Sequence, residues 1–101
     1  MASRLDLQAI FEEILDSRNV YFSPPASVQM KYPAIRYRLS SIEDSFANGA
    51  AYIRSPEYEA ILIDKNPESP YVEKILNLPY CRFVRSYTAN NLNHFVFNIY
   101  N

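Results

Sequence analysis

Glycine is nearly absent from this chain of 101 residues, in which Gly49 is the only one. Tryptophan is missing altogether, and cysteine and histidine each occur once. With one glycine the sequence excludes a glycine-rich loop that cradles phosphates. The lone Cys81 excludes an intramolecular disulfide. Because Cys81 and His94 alone supply too few ligands for a typical zinc site, we expect no metal and no cofactor.

Strong net charge and long apolar runs are missing as well. Ten basic and eleven acidic residues give a formal net charge of -1, so no overall field attracts nucleic acid or an anionic membrane. No apolar segment approaches the ~20 residues of a membrane-spanning helix, and no signal peptide begins the chain. We expect a single domain over residues 1–101, made in the cytoplasm and without membrane contact.

Aromatic residues, in contrast, are abundant: the chain has nine tyrosines and six phenylalanines. Tyrosine is an amphipathic anchor that is enriched at protein interfaces. Aromatic side chains also dominate the packing of small cores. The composition is therefore compatible both with a protein that works by binding other proteins and with a densely packed core.

Two helices are predicted. The first covers residues 3–17, with Ser3 as its N-cap. The second is short and ends near Asn77, with Ser69 as its cap and Pro70 at its first position, where a missing N–H costs nothing. Apolar residues at helical spacing support both predictions: Leu7, Ile10, Phe11 and Ile14 in the first, and Val72, Ile75 and Leu76 in the second.

A long central hairpin is predicted from two extended segments. Residues 34–39 alternate between apolar side chains and arginines, a pattern typical of a strand with one buried face. Residues 57–64 are extended, and residues 58–63 are apolar enough for an interior strand. We interpret residues 35–63 as an antiparallel hairpin whose tip is the segment 40–49.

The chain ends in a second predicted hairpin, with strands over residues 81–87 and 92–100. In its last strand, Phe95, Phe97 and Ile99 are expected to face one way, and the residues between them the other way. Residues 20–22 suit a very short strand. The predicted fold class is α+β: a roughly four-stranded antiparallel sheet with a long central hairpin and two helices packed on one face.

Catalytic chemistry finds little support in the sequence. Cys81 and His94 lie on strands that we expect to pair, and a thiolate–imidazole pair is the minimal nucleophile. The ordinary interpretation of Cys81 is a small buried apolar residue. We predict that the protein is not an enzyme and has no catalytic residues.

Charged residues of the central hairpin suggest a different function. Lys31, Arg36, Arg38 and Arg54 lie among tyrosines, and arginines with aromatics on a sheet can bind single-stranded nucleic acid. The acids Glu43, Asp44, Glu57 and Glu59 dilute this patch. Glu57 and Glu59 either face solvent or pair with Arg36 and Arg38 across the hairpin. A small nucleic-acid-binding module is therefore one alternative.

Several short motifs, taken in order, carry a resemblance to a known family. They are Val20-Tyr21-Phe22-Ser23-Pro24-Pro25, Lys31-Tyr32-Pro33, Ile63-Asp64-Lys65-Asn66-Pro67, Leu78-Pro79-Tyr80-Cys81, and the aromatic ending from Tyr87 to Tyr100. With these motifs the chain resembles the small tail completion, or tail terminator, proteins of long-tailed bacteriophages. The resemblance extends over nearly the whole chain from about Leu5.

The resemblance implies a structural protein of the virion neck, without a reaction. Proteins of this kind form a ring, usually of six copies, that caps the finished tail tube and ends its polymerisation. The ring is the tail side of the head–tail junction. Its implied partners are other copies of the chain, the tail tube protein and the head–tail connector or stopper protein, while genomic DNA passes through without specific binding.

The resemblance also implies where the contacts would lie. The hairpin is the expected subunit or tube interface, with Arg36, Arg38, Ile42, Phe46, Tyr52 and Arg54 as its candidate residues. A hairpin folded back on its own sheet is the other possibility. A different neck component, such as a head completion protein, is the alternative within the structural proteins.

Overall fold

The computed structural model describes residues 4–47 and 51–100, and for residues 43–47 and 51–55 it describes the backbone alone. The predicted N-cap Ser3 lies outside the described residues. Two helices and five strands follow one another along the chain. They are α1 (Arg4–Leu15), β1 (Val20–Phe22), β2 (Ala34–Ala47), β3 (Ala51–Asp64), α2 (Tyr71–Leu76), β4 (Cys81–Ala89) and β5 (Leu92–Tyr100).

The predicted α+β fold is confirmed, with one more strand in the sheet. The order of strands is β1-β2-β3-β5-β4. All neighbours are antiparallel except β1, which pairs parallel to β2 through residues 20–22 and 35–37. A parallel neighbour requires a crossover connection, and the proline-containing segment between β1 and β2 provides it.

The main core lies between the helices and one face of the sheet, as predicted. The buried residues of α1 are Leu7, Phe11 and Leu15, whereas Ile10, which was predicted to be buried, is only half-buried. In α2, Ile75 is fully buried, but the prediction for Leu76 is wrong because 39% of it is exposed. The core residues are Leu7, Phe11, Leu15, Val20, Ile35, Tyr37, Tyr58, Ala60, Leu62, Ile75, Phe97 and Ile99.

A second, smaller cluster lies on the opposite side of the sheet, which we call the open face because neither helix covers it. Ile61, Ile63 and Val96 are buried there under Met30 and Tyr32 of the β1–β2 connection. As a result, β3 is apolar on both faces, as expected for an interior strand.

The predicted hairpin tip at residues 40–49 is wrong, because β2 continues to Ala47 and pairs with β3 as far as Ala51. The register shifts between Leu39 and Ser41. This irregularity changes the phase of inward and outward side chains, so the sequence alternation breaks although the strand does not. Residues 48–50, which connect the two strands, lie outside the described residues.

The terminal hairpin is confirmed, with a tighter turn than predicted. Asn90 and Asn91 have φ values of 55° and 62°, and only these two residues separate β4 from β5. Asparagine tolerates this left-handed conformation better than most residues, and a pair of such residues suits a two-residue hairpin turn.

The predicted cap of α2 is wrong. Pro70 occupies the N-cap position and makes no side-chain hydrogen bond. Ser69 is buried, and its hydroxyl has no hydrogen-bond partner in the described part of the protein. The turn before α2 is held instead by side chains of the preceding loop, since Asp64 accepts a hydrogen bond from the N–H of Asn66.

Candidate interaction surface

The structure separates Cys81 and His94, the nucleophile–base pair that the sequence suggested. Cys81 lies opposite Ile99 at one end of β4, whereas His94 lies opposite Tyr87 near the other end. Burial raises the pKa of the Cys81 thiol to about 11, which disfavours the reactive thiolate. His94 is stacked on Tyr87, with ring centroids 4.7 Å apart. The arrangement therefore offers no thiolate–imidazole pair.

The other negative findings concern metal binding and membrane insertion. Among the residues that the structure describes, no group of three or more His, Cys, Asp and Glu side chains could hold a metal ion. In the same part of the chain, neither helix is long and apolar enough to cross a membrane.

Charged side chains occupy the open face beside the hairpin. Arg38 lies directly opposite Glu59, and their Nε and Oε1 atoms are 3.3 Å apart. Glu57 instead accepts a hydrogen bond from the hydroxyl of Ser40, at 3.1 Å. Of the ion pairs that the sequence left open, the one between Arg38 and Glu59 therefore forms. Glu57 does not pair with Arg36.

Arg36 lies on the same face but pairs with neither of these acids. It lies between Tyr21 of β1 and Ile61 of β3 in the register of the sheet. Its Nε atom is buried and has no hydrogen-bond partner within the described residues. A buried polar atom without a partner is uncommon and requires an explanation.

The strands β2 and β3 extend beyond the rest of the sheet as a two-stranded ribbon, which we define as residues 42–47 and 51–56. Within the described chain its six residue pairs, from Ile42 and Pro56 to Ala47 and Ala51, have no further strand beside them. At about 3.4 Å per residue the ribbon reaches roughly 20 Å. The molecule is correspondingly elongated, measuring 50 × 26 × 23 Å.

Exposed apolar side chains gather where the ribbon leaves the sheet. We call Phe22, Leu39 and Ile42 the base patch; their exposed fractions are 39%, 42% and 53%. Phe22 packs against Tyr37 with ring centroids 5.0 Å apart, and Leu39 lies opposite Tyr58. The base patch therefore continues the main core outward to solvent.

A second exposed surface lies at the far edge of the sheet. Strand β4 pairs only with β5 in the described structure, so its outer backbone groups are open to another strand. Phe83, Val84 and Tyr87 are exposed along it, and Tyr80 just before it is 81% exposed. We call these four residues with the outer backbone of β4 the edge patch.

The predicted interface residues fall into three groups. Arg36 and Arg38 belong to the body of the sheet and not to the ribbon, whereas Ile42 lies at the start of the ribbon. For the remaining three the structure describes only the backbone pairing, which joins Phe46 to Tyr52 and Arg54 to Asp44.

The edge patch was missed by the sequence reasoning. Its signal was weak, because the segment Tyr80-Cys81-Arg82-Phe83-Val84-Arg85 contains both apolar and charged residues without a clean alternation. The register shift between Phe83 and Arg85 explains this, since one residue of β4 has no direct partner on β5.

Comparison with known proteins leaves the family open: no protein-family model and no curated protein matches this chain.

Proposed function

We propose that this protein is a structural assembly protein of a long-tailed bacteriophage, which closes into a ring on the end of the tail tube. The ring ends tube polymerisation and forms the tail side of the head–tail junction. The sequence motifs support this proposal, and so do two exposed surfaces that lie apart on the molecule. The proposed partners are further copies of the chain, the tube protein and the connector protein, with DNA passing through the ring.

The observation that carries the proposal is the difference between the base patch and the edge patch. They lie towards opposite edges of the five-stranded sheet, because β2 is next to one edge strand and β4 is the other edge strand. A closed ring requires a head-to-tail contact in which each subunit offers two different surfaces. Two dissimilar apolar surfaces on opposite sides of one subunit meet this requirement.

The ribbon gives a second, physical reason to expect a partner. A two-stranded ribbon by itself is at best marginally stable in water. Its backbone pairs only internally over the described residues 42–47 and 51–56. Contact with a neighbouring subunit or with the tube would supply the apolar packing that the ribbon lacks.

The test uses one variant for each surface. Ile42→Asp places a charge in the base patch, and Val84→Asp places a charge in the edge patch. Both side chains are substantially exposed, so both variants should fold. In light scattering with and without tail tubes, each variant alone should stay monomeric, whereas an equimolar mixture should form a dimer and nothing larger.

The wild-type chain and one control variant complete the experiment. The wild type should form a ring, either by itself or on tube ends, and Lys65→Asp should do the same because Lys65 is exposed outside both patches. Tubes assembled with either single variant should lose their uniform length in electron micrographs. A wild type that stays monomeric in the presence of tubes would contradict the proposal, as would dimers formed by Ile42→Asp alone.

A further inference from the structure

The open face contains a small pocket at the unpartnered Arg36. The pocket lies between the start of the β1–β2 connection, the first residues of β2 and the last part of β3, and its volume is about 270 Å³. Arg36 contributes its guanidinium group, of which Nε is shielded from solvent. Arg38 and Glu59 line the pocket beside it.

The acids nearest to Arg36 in the sheet register do not neutralise it. Glu59 forms an ion pair with Arg38, and Glu57 accepts hydrogen bonds from Ser40. Neither carboxylate contacts Arg36 in the described structure. The pocket therefore combines two guanidinium groups with one carboxylate, which leaves one positive charge without a partner.

We propose that this pocket binds a single carboxylate, supplied by an aspartate or glutamate side chain of a protein partner. Guanidinium N–H groups form a planar fork that matches the two oxygens of a carboxylate. A bound carboxylate would neutralise the charge of Arg36 where its guanidinium group lines the pocket. The inference rests on the proposed function for the existence of a protein partner, but carboxylate binding itself does not depend on tails.

A protein carboxylate fits this pocket better than a nucleic-acid backbone does. A single strand presents successive phosphates and binds along a continuous positive groove. Here Glu59 and Glu57 lie on the same face as Arg36, two and four residue pairs from it along the hairpin. A chain of phosphates would meet these acids, whereas one carboxylate would meet only the arginine.

The unpartnered state of Arg36 has a measurable consequence for the isolated protein. Arg36 is half-buried, and no partner offsets the desolvation of its Nε atom, a penalty that an apolar residue of similar size relieves. Arg36→Met should therefore unfold at the same temperature as the wild type or higher. Arg82→Met is the matched control, because Arg82 is an exposed arginine of β4 on the same open face of the sheet as Arg36. Its substitution should change neither stability nor binding.

Binding is measured by nuclear magnetic resonance on the side-chain Nε–H signal of Arg36. The probe is acetyl-Ala-Glu-Ala-amide, and the neutral isostere acetyl-Ala-Gln-Ala-amide is its control. The glutamate peptide should shift the Arg36 signal with saturation, and the glutamine peptide should not. Arg36→Lys keeps the charge without the fork, so in this variant the saturable shifts of neighbouring backbone amides should be lost, while Arg82→Met should keep them.

Several results would overturn the inference. One is a melting temperature of Arg36→Met more than about 4 °C below that of the wild type, a large shift for a domain of this size, because Arg36 would then be stabilised within the chain. Another is an Arg36 signal that never saturates with the glutamate peptide. A third is saturation by single-stranded oligothymidylate in place of the peptide, which would assign the pocket to nucleic acid. These results are independent of ring formation, so either proposal can fail alone.

Discussion

The hydroxyl of Tyr37 donates a hydrogen bond to the side-chain carbonyl of Gln8, which joins the first part of β2 to α1. Gln8 in turn donates to the backbone carbonyl of Val20 on β1. Arg4 donates to the Tyr37 hydroxyl from the first turn of α1. Burial raises the pKa of Tyr37, although Arg4 opposes the shift. One buried phenol thus joins the helix to both strands at this edge of the sheet.

Removing this hydroxyl should destabilise the protein measurably. Tyr37→Phe keeps the ring contact with Phe11, whose centroid lies 5.4 Å away, but leaves Gln8 without its donor. Loss of one partner of a buried hydrogen bond costs about 1–3 kcal/mol. Urea unfolding should show this loss, whereas Tyr80→Phe at an exposed position should change the free energy of unfolding by less than ~0.5 kcal/mol. Equal stability of the two variants would contradict the role assigned to Tyr37.

The ion pair between Arg38 and Glu59 should contribute little. The Arg38 side chain is 58% exposed, and cross-strand pairs of opposite charge contribute about 0.2–1 kcal/mol. A double-mutant cycle with alanine should give a coupling energy in this range that falls as salt is added. The control cycle joins Arg82 to Asn98, which are also directly opposite but carry one charge between them. A coupling that is insensitive to salt would show that the pair is not mainly electrostatic.

The turn of the terminal hairpin should distinguish alanine from glycine. Asn91 has a φ of 62°, a conformation that costs a residue with an ordinary side chain roughly 1–2 kcal/mol. Asn91→Ala should therefore lower the melting temperature, and Asn91→Gly should keep or raise it because Asn-Gly suits this turn best. Melting curves that rank alanine above glycine would mean that the turn has another conformation in solution.

Cys81 should react slowly with alkylating reagents. Burial raises the pKa of its thiol from 9.0 to about 11, which lowers the thiolate fraction at pH 8 by about 100-fold because each pKa unit is a factor of ten. Alkylation of the native protein by iodoacetamide should be slower than that of the urea-unfolded chain by at least this order. Equal rates in the two states would contradict a buried thiol.

The raised pKa of Cys81 also makes the stability of the protein depend on pH. The unfolded chain loses the thiol proton near pH 9.0, whereas the folded chain retains it until about pH 11. Stability from this group is therefore complete below pH 9.0 and is lost as the pH rises through the folded pKa. The difference in free energy of unfolding between the wild type and Cys81→Ala should fall over this interval, and a constant difference would contradict the shift.

Much of the fold could be predicted from local patterns. Alternation in residues 34–39 identified which side of β2 is buried, and alternation after Leu92 identified Phe95, Phe97 and Ile99 as sharing one face of β5. The stripe that begins with Leu7 and Phe11 identified α1. Each of these patterns depends only on the repeat of one helix or strand, so it can be recognised without knowledge of its neighbours.

Local patterns did not decide features that depend on two elements together. The separation of Cys81 from His94 depends on the register between β4 and β5. The extension of β2 to Ala47 depends on an irregular pairing after Leu39. A single register shift moves every later side chain, and no local pattern records it.

Composition and the period of each element were enough to predict the fold class, the absence of a glycine-rich loop and of an intramolecular disulfide, and the faces of the regular strands. Which charges found partners depended on the tertiary structure. Arg36 and Arg38 are equivalent in the alternation of β2, yet β3 places Glu59 opposite Arg38 and Ile61 opposite Arg36. The physical reason is that burial and ion pairing depend on the neighbouring strand, and strand order and register are set by the packing of the whole chain.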